Sequence, residues 1–141
     1  MSNTASSSGV MAGKKGLIMG VANDRSIAWG IAAKLAEQGA ELAFTFQGEA
    51  LQKRVEPLAA SVGSDLVIPC DVTDEASMDA TFDALKEKWG SFDFVLHAIA
   101  YSDKEELKGG YVDTSRDNFA RTMDISVYSF TDVARRAAAM M

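Results

Sequence analysis

The chain has 141 residues, 48% of them hydrophobic, which is enough for one modest domain with its own core. Its formal charge of -6 argues against a general nucleic-acid binder, which would carry a basic face. A single cysteine, Cys70, excludes an internal disulfide and fits a reducing, cytoplasmic setting, and no apolar run nears the roughly 20 residues of a membrane span.

Residues 1–12 are Ser-rich without an apolar signal core and read as a disordered leader. Residues 13–141 read as the N-terminal part of a single dinucleotide-binding domain whose C-terminal part is absent. The first strand is 16–19, followed by a glycine-opened loop and a helix carrying Ile27, Ile31 and Leu35 at four-residue spacing, with Ala28, Ala32 and Ala36 beside them. Such a strand–loop–helix unit presents backbone N–H groups and a helix dipole to an anion, and suits the pyrophosphate of a dinucleotide. The glycines do not follow G-x-G-x-x-G: Gly20 and Gly30 stand nine residues apart. Gly20 makes a turn, Ser26 sits at the helix start, and Gly30 is expected to allow close helix–sheet packing.

Gly39 closes the helix, and 41–46 forms strand two. A second helix spans about 49–62, with Pro57 predicting a kink or a late start. Strand three is 66–70. Thr73 is expected to cap a third helix, with Met78, Phe82, Leu85 and Trp89 as its buried stripe and Gly90 at its end. Residues 94–99 form a continuous apolar strand of the doubly covered parallel type. After a polar loop comes a last amphipathic helix with Phe119, Met123, Val127, Phe130 and Ala134 on one face.

Strict alternation of strand and helix predicts an α/β fold, a Rossmann-like doubly wound parallel sheet of about four strands ordered 3-2-1-4. The loops after strands one and four then flank one crevice. The sheet is expected to be incomplete, with strand four an exposed edge and the chain the front portion of a longer protein. Cys70 reads as a buried structural thiol. His97, the sole histidine, has no Cys, His or carboxylate at ligand spacing, so it reads as a hydrogen-bonded structural residue and no metal site is expected. No G-K-[ST] follows the glycine loop, which removes a P-loop.

Several segments together resemble one family. They are Gly20-Val21-Ala22, Ser26-Ile27-Ala28-Trp29-Gly30, the run from Gly39 to Gln47, Cys70-Asp71-Val72, and Asp124-Ile125-Ser126 with Tyr128-Ser129-Phe130. The chain from about Lys14 to Met141 resembles bacterial NADH-dependent enoyl-acyl carrier protein reductases, a branch of the short-chain dehydrogenase/reductase superfamily. The resemblance implies that Gly20, Ala22, Ser26 and Ile27 hold the pyrophosphate of NADH. It puts Gln47 at the adenosine end, Asp71 on the adenine amino group and Val72 against the ring. Ala98, Ile99 and Ala100 would meet cofactor, Ile125 would pack near the nicotinamide, and Tyr101 and Ser102 would begin the acyl-substrate wall. Ala98-Ile99-Ala100 departs from the Ser-Ile-Gly more frequent in the family, which bears on the loop geometry.

The implied reaction is hydride transfer from NADH to a trans-2-enoyl thioester carried on acyl carrier protein, in a homotetramer. The family's proton-handling residues form a Tyr-x6-Lys pair. Tyr101 and Lys108 have that spacing but lie in the loop after strand four, so catalytic residues are expected beyond Met141 and none within the chain. The 141 residues alone are expected to be catalytically silent. The alternatives are another short-chain dehydrogenase, such as a ketoacyl reductase, and a non-catalytic nucleotide-binding module. The absent T-G-x-x-x-G-x-G loop and the absent Asn-Ala-Gly after strand four count against the former.

Overall fold

In a computed structural model, which describes residues 9–141, strands and helices alternate along the chain. The elements are β1 (Lys15–Met19), α1 (Ile27–Glu37), β2 (Glu41–Phe46), α2 (Glu49–Ser61), β3 (Val67–Pro69), α3 (Glu75–Trp89) and β4 (Phe94–His97). A helical stretch follows: α4 (Arg116–Met123), a π-type turn (Asp124–Tyr128) and α5 (Ser129–Ala138). All strand pairs are parallel, and the order is β3-β2-β1-β4, as the alternation predicts. Central β1 pairs Leu17 with Ala43 on one side and Val95 on the other.

Neighbouring residues of a strand face opposite sides, and both sides of β1 are covered, so its apolar run is continuous. Leu17 and Met19 pack with Met78, Phe82 and Leu85 of α3 and with Val133 and Ala137 of α5. Ile18 and Phe44 pack with Ala28 and Ala32 of α1 and with Val55 and Ala59 of α2. Gly16 lets β1 and β4 approach with the Phe94 ring over the backbone: a Cβ there would lie 2.0 Å from that ring, which would have to shift.

Several expectations change in detail. Residues 9–12 of the predicted leader are ordered: the Met11 amide donates to the Gln38 carbonyl, and Met11 packs on the core. Residues 1–8 lie outside the described residues. The core face of α1 is Ala28 and Ala32, small enough to bring the helix close, while Ile27 is 82% exposed. Gly30 is exposed and a Cβ there would meet open space, so it does not serve helix–sheet packing. Gly39 does end α1, with φ +100°; its amide and that of Ala40 donate to the carbonyls of Ala36 and Leu35, closing a Schellman motif.

Helix α2 runs from Glu49 through Pro57 without a late start. The carbonyl that Pro57 leaves without a donor belongs to Lys53, which is exposed and can use water. Asp74, not Thr73, caps α3, its carboxylate accepting from the Ala76 amide at 3.0 Å. Thr73 is instead turned toward Asp71. Strand β4 ends at His97, and all four of its residues are half-buried, as suits an edge strand with one neighbour.

The last helix departs most. Its predicted apolar stripe is exposed at Phe119, Met123, Val127 and Phe130, whereas Asn118, Ser129, Asp132, Val133 and Ala137 are buried. Phe119 and Met123 precede the π-type turn while Val127 and Phe130 lie in and after it, so the stripe faces away from the sheet on both sides of the turn. Polar groups can occupy the buried face because each finds partners. Asp132 accepts from Arg135 and Arg136, and Arg136 reaches Asp79 on α3.

Candidate functional site

The carboxyl ends of β1 and β4 lie side by side, with Met19 opposite His97, and the chains diverge there into the loops after each strand. In an open α/β sheet this is the topological switch point, where a crevice forms. A cavity of about 370 Å³ occupies it. Gly20 and Ala22 line it from the first loop, and Ala98, Ile99, Ala100 and Tyr101 from the fourth. Gln47 lines it after β2, Asp71 and Val72 after β3, and Ile125 from the π-type turn. Ten of the thirteen sequence-predicted site residues therefore meet in one place.

Gly20 makes the two loops' close approach possible. Its φ is +107°, and a Cβ would sit 2.1 Å from the Ala98 carbonyl oxygen. The Ala98 amide in turn donates to the Met19 carbonyl at 3.0 Å. Only glycine fits.

Ser26, Ile27 and Ser102 lie outside the cavity lining. Ser26 folds the glycine loop back on itself, its Oγ accepting from the amides of Ala22 at 2.9 Å and Asn23 at 3.1 Å. These two amides are thus engaged within the loop, while the Ser26 side chain makes no capping bond to α1. A helix N-terminus leaves its first-turn amides without helical acceptors, so those of α1 are donors open to an anion. Ser26→Ala is expected to loosen the loop and cost about 1 kcal/mol. Urea unfolding would read this, and an unchanged midpoint would assign the hydroxyl no role in holding the loop.

Ser102 anchors the fourth loop to α4, its Oγ accepting from Asn118 Nδ2 at 3.1 Å and from Thr122 Oγ1 at 3.3 Å. Asp71 forms an Asx turn, with Oδ1 accepting from the Thr73 amide and hydroxyl at 2.9 and 2.6 Å. That leaves Oδ2 for the cavity. His97 Nε2 lies 2.8 Å from Ser129 Oγ, and burial holds its imidazole below the usual histidine range. Burial pushes the Cys70 thiol up, as expected for a structural cysteine, although Cys70 also borders the cavity. Among the described residues no group of three or more His, Cys, Asp or Glu side chains could hold a metal, and no helix is long and apolar enough to cross a membrane.

Sequence reasoning missed Thr45, Phe46, Leu51, Thr73 and Arg121 as lining residues. Arg121 had a legible signal: it stands four residues before Ile125, hence near it on one helix face. Its guanidinium lies 4.7 Å from the centroid of the Tyr101 ring. Lys108, spaced like a partner for Tyr101, pairs with Glu105 at 3.2 Å and does not line the cavity.

Sheet order, crossover pattern and the crevice at the switch point define a Rossmann-like α/β domain. The family model described as enoyl-(acyl carrier protein) reductase matches residues 20–141. The chain belongs to this family. It is 69% identical over 137 residues to enoyl-[acyl-carrier-protein] reductase [NADH] 1 of Rhizobium meliloti, covering 97% of this chain and 50% of that protein. The crystal structure of FabI from Candidatus Liberibacter asiaticus superposes with a TM-score of 0.92 at 57% identity, covering 95% of this chain and 52% of that one. The reductase of Anaplasma phagocytophilum in complex with NAD gives 0.90 at 56% identity, covering 94% and 51%. The chain spans about half the length of the curated relatives it matches.

Proposed function

We propose that the crevice binds NADH, and that the chain carries the cofactor site of an enoyl-acyl carrier protein reductase. The observation that carries this reading is the meeting of Gly20, Gln47, Asp71 and Ile99 around one cavity at the switch point. The α1 amides and the Gly20 loop receive the pyrophosphate. Asp71 Oδ2 accepts from the adenine amino group with Val72 against the ring, and Gln47 serves the adenosine ribose. Ile125 and the Ala98–Ala100 backbone border the remainder, and Tyr101 begins the acyl wall. When bound, NADH supplies the hydride that reduces a trans-2-enoyl thioester.

The substrate we assign is an enoyl chain on acyl carrier protein, and the setting is the cytoplasm. The assembly is a homotetramer, for which the exposed stripe of Phe119, Met123, Val127 and Phe130 offers apolar surface. Titration with NADH, followed by its fluorescence, should show saturable binding. Asp71→Ala should weaken it about tenfold, the loss of one charge-assisted hydrogen bond. With a crotonyl thioester added, the 141 residues alone should leave NADH unoxidised. Absence of saturable NADH binding would overturn the cofactor assignment; turnover would overturn the silence.

A further inference from the structure

The π-type turn stands beside the crevice, and its backbone accounting is unusual. The Ser129 amide donates to the Asp124 carbonyl, five residues back, rather than to Ile125 four back. The Ile125 carbonyl has thereby lost its ordinary helical donor. The Ser129 hydroxyl replaces it, donating to the Ile125 carbonyl at 2.6 Å. With its hydrogen committed there, Ser129 Oγ can only accept from His97, whose Nε2 lies 2.8 Å away. Ser129 is 1% exposed, so neither bond competes with bulk water. The His97 ring also meets Phe130 edge-on, with centroids 5.5 Å apart.

The widened turn has consequences at the cavity. It carries Ile125, which lines the crevice, and Ser126, whose hydroxyl donates to the Tyr101 carbonyl at 3.2 Å and accepts from the Tyr101 amide at 3.0 Å. Two wall residues, Ile125 and Tyr101, thus depend on the position of one irregular turn. His97 ends the edge strand β4, one residue before Ala98, and is paired through β4 with the Met19 end of β1.

We infer that His97 is a positioning residue. Through Ser129 it clamps the π-type turn to the end of β4, and so sets Ile125 and Tyr101 in the cofactor crevice. This rests on the cofactor reading above only for its ligand; the clamp itself is a property of the unliganded chain. It explains why a histidine stands in an otherwise apolar strand: the site needs a buried donor that reaches across to the helix.

The experiment combines amide hydrogen exchange without ligand and NADH binding, in Ser129→Ala, His97→Leu and His97→Gln. The glutamine keeps an N–H donor near the position of Nε2. In Ser129→Ala and His97→Leu, amides of residues 125–130 should exchange about tenfold faster while those of β1 and β2 hold their rates. NADH should bind about fivefold more weakly, as expected for one lost hydrogen bond. His97→Gln should restore most of both. Equal acceleration across the sheet, or unchanged exchange at 125–130, would overturn the clamp, as would a glutamine variant as damaged as the leucine one. If faster turn exchange came with unaltered NADH affinity in a chain that binds it, the link to the crevice would be overturned. Failure of the unsubstituted chain to bind NADH would sink the cofactor reading instead, and the exchange measurement would still decide the clamp.

Discussion

Gly20→Ala is expected to destabilise the domain by about 3 kcal/mol or more and to abolish measurable NADH binding. Two costs combine. The backbone at +107° is strained for any residue with a Cβ, and that Cβ would lie 2.1 Å from the Ala98 carbonyl oxygen. Relief would require moving the loop after β4 away from the loop after β1, which are the two walls of the crevice. Gly30→Ala is the internal comparison. It lies on the exposed face of α1 with open space at its Cβ, so alanine should stabilise by about 0.5–1 kcal/mol. Urea unfolding of both variants would separate the two glycines. A Gly20→Ala protein as stable as the unsubstituted chain would mean that the loops do not approach as described.

Asp132→Ala is expected to cost about 2–3 kcal/mol, because it strips Arg136 of a buried partner. The Asp132 and Arg136 side chains are only 6% and 16% exposed, and this pair is part of what holds α5 to α3. Asp79→Ala removes a carboxylate that is 63% exposed and should cost about 1 kcal/mol or less. The Asp132 effect should also depend on pH. Burial opposes its charge, but hydrogen bonds from Arg135 and Arg136, together with their charges, outweigh burial and hold the carboxyl below its usual range. In the unfolded chain such a group titrates near about pH 3.9. A lowered folded value means the stabilisation is complete above that pH and fades as pH falls toward the folded pKa. The stability gap between the unsubstituted chain and Asp132→Asn should therefore be constant from about pH 7 to 5 and close below about pH 4. A gap that persisted unchanged in acid would assign the effect to packing instead.

Much of the fold was legible because the signals are local. Strand β2 ends where its apolar run ends, and Gly39 and Gly90 stop helices at positive φ, as a C′ glycine should. Alternation of strand and helix, with right-handed crossovers, leaves little choice of sheet order. Most of the candidate site was legible for a related reason: residues directly after parallel strands converge at one sheet end. Ser26 and Ser102 were the instructive departures. Both stand near the site, yet Ser26 Oγ is engaged by an amide of its own loop and Ser102 Oγ by Asn118 on α4. A sequence shows that a serine is available; its partner depends on how the loop closes.

The final helix marks the boundary between the two kinds of information. Its residues predict an apolar face through Phe119, Met123, Val127 and Phe130, yet the buried positions include Ser129 and Asp132. Periodicity shows that an apolar stripe exists but not which face the sheet covers, and here the stripe is exposed both before and after the π-type turn at 124–128. Side chains distant in sequence meet along this stretch, His97 lying 32 residues from Ser129 and Asp79 57 from Arg136. The sequence by itself determined the α/β alternation, the strand order and the family, since these rest on short-range pattern and on motifs at the strand ends. Only the tertiary structure decided which helix face is buried, which polar groups build the crevice wall and which merely brace it. Those outcomes depend on hydrogen-bond partners and free volume, and both exist only once distant segments have met.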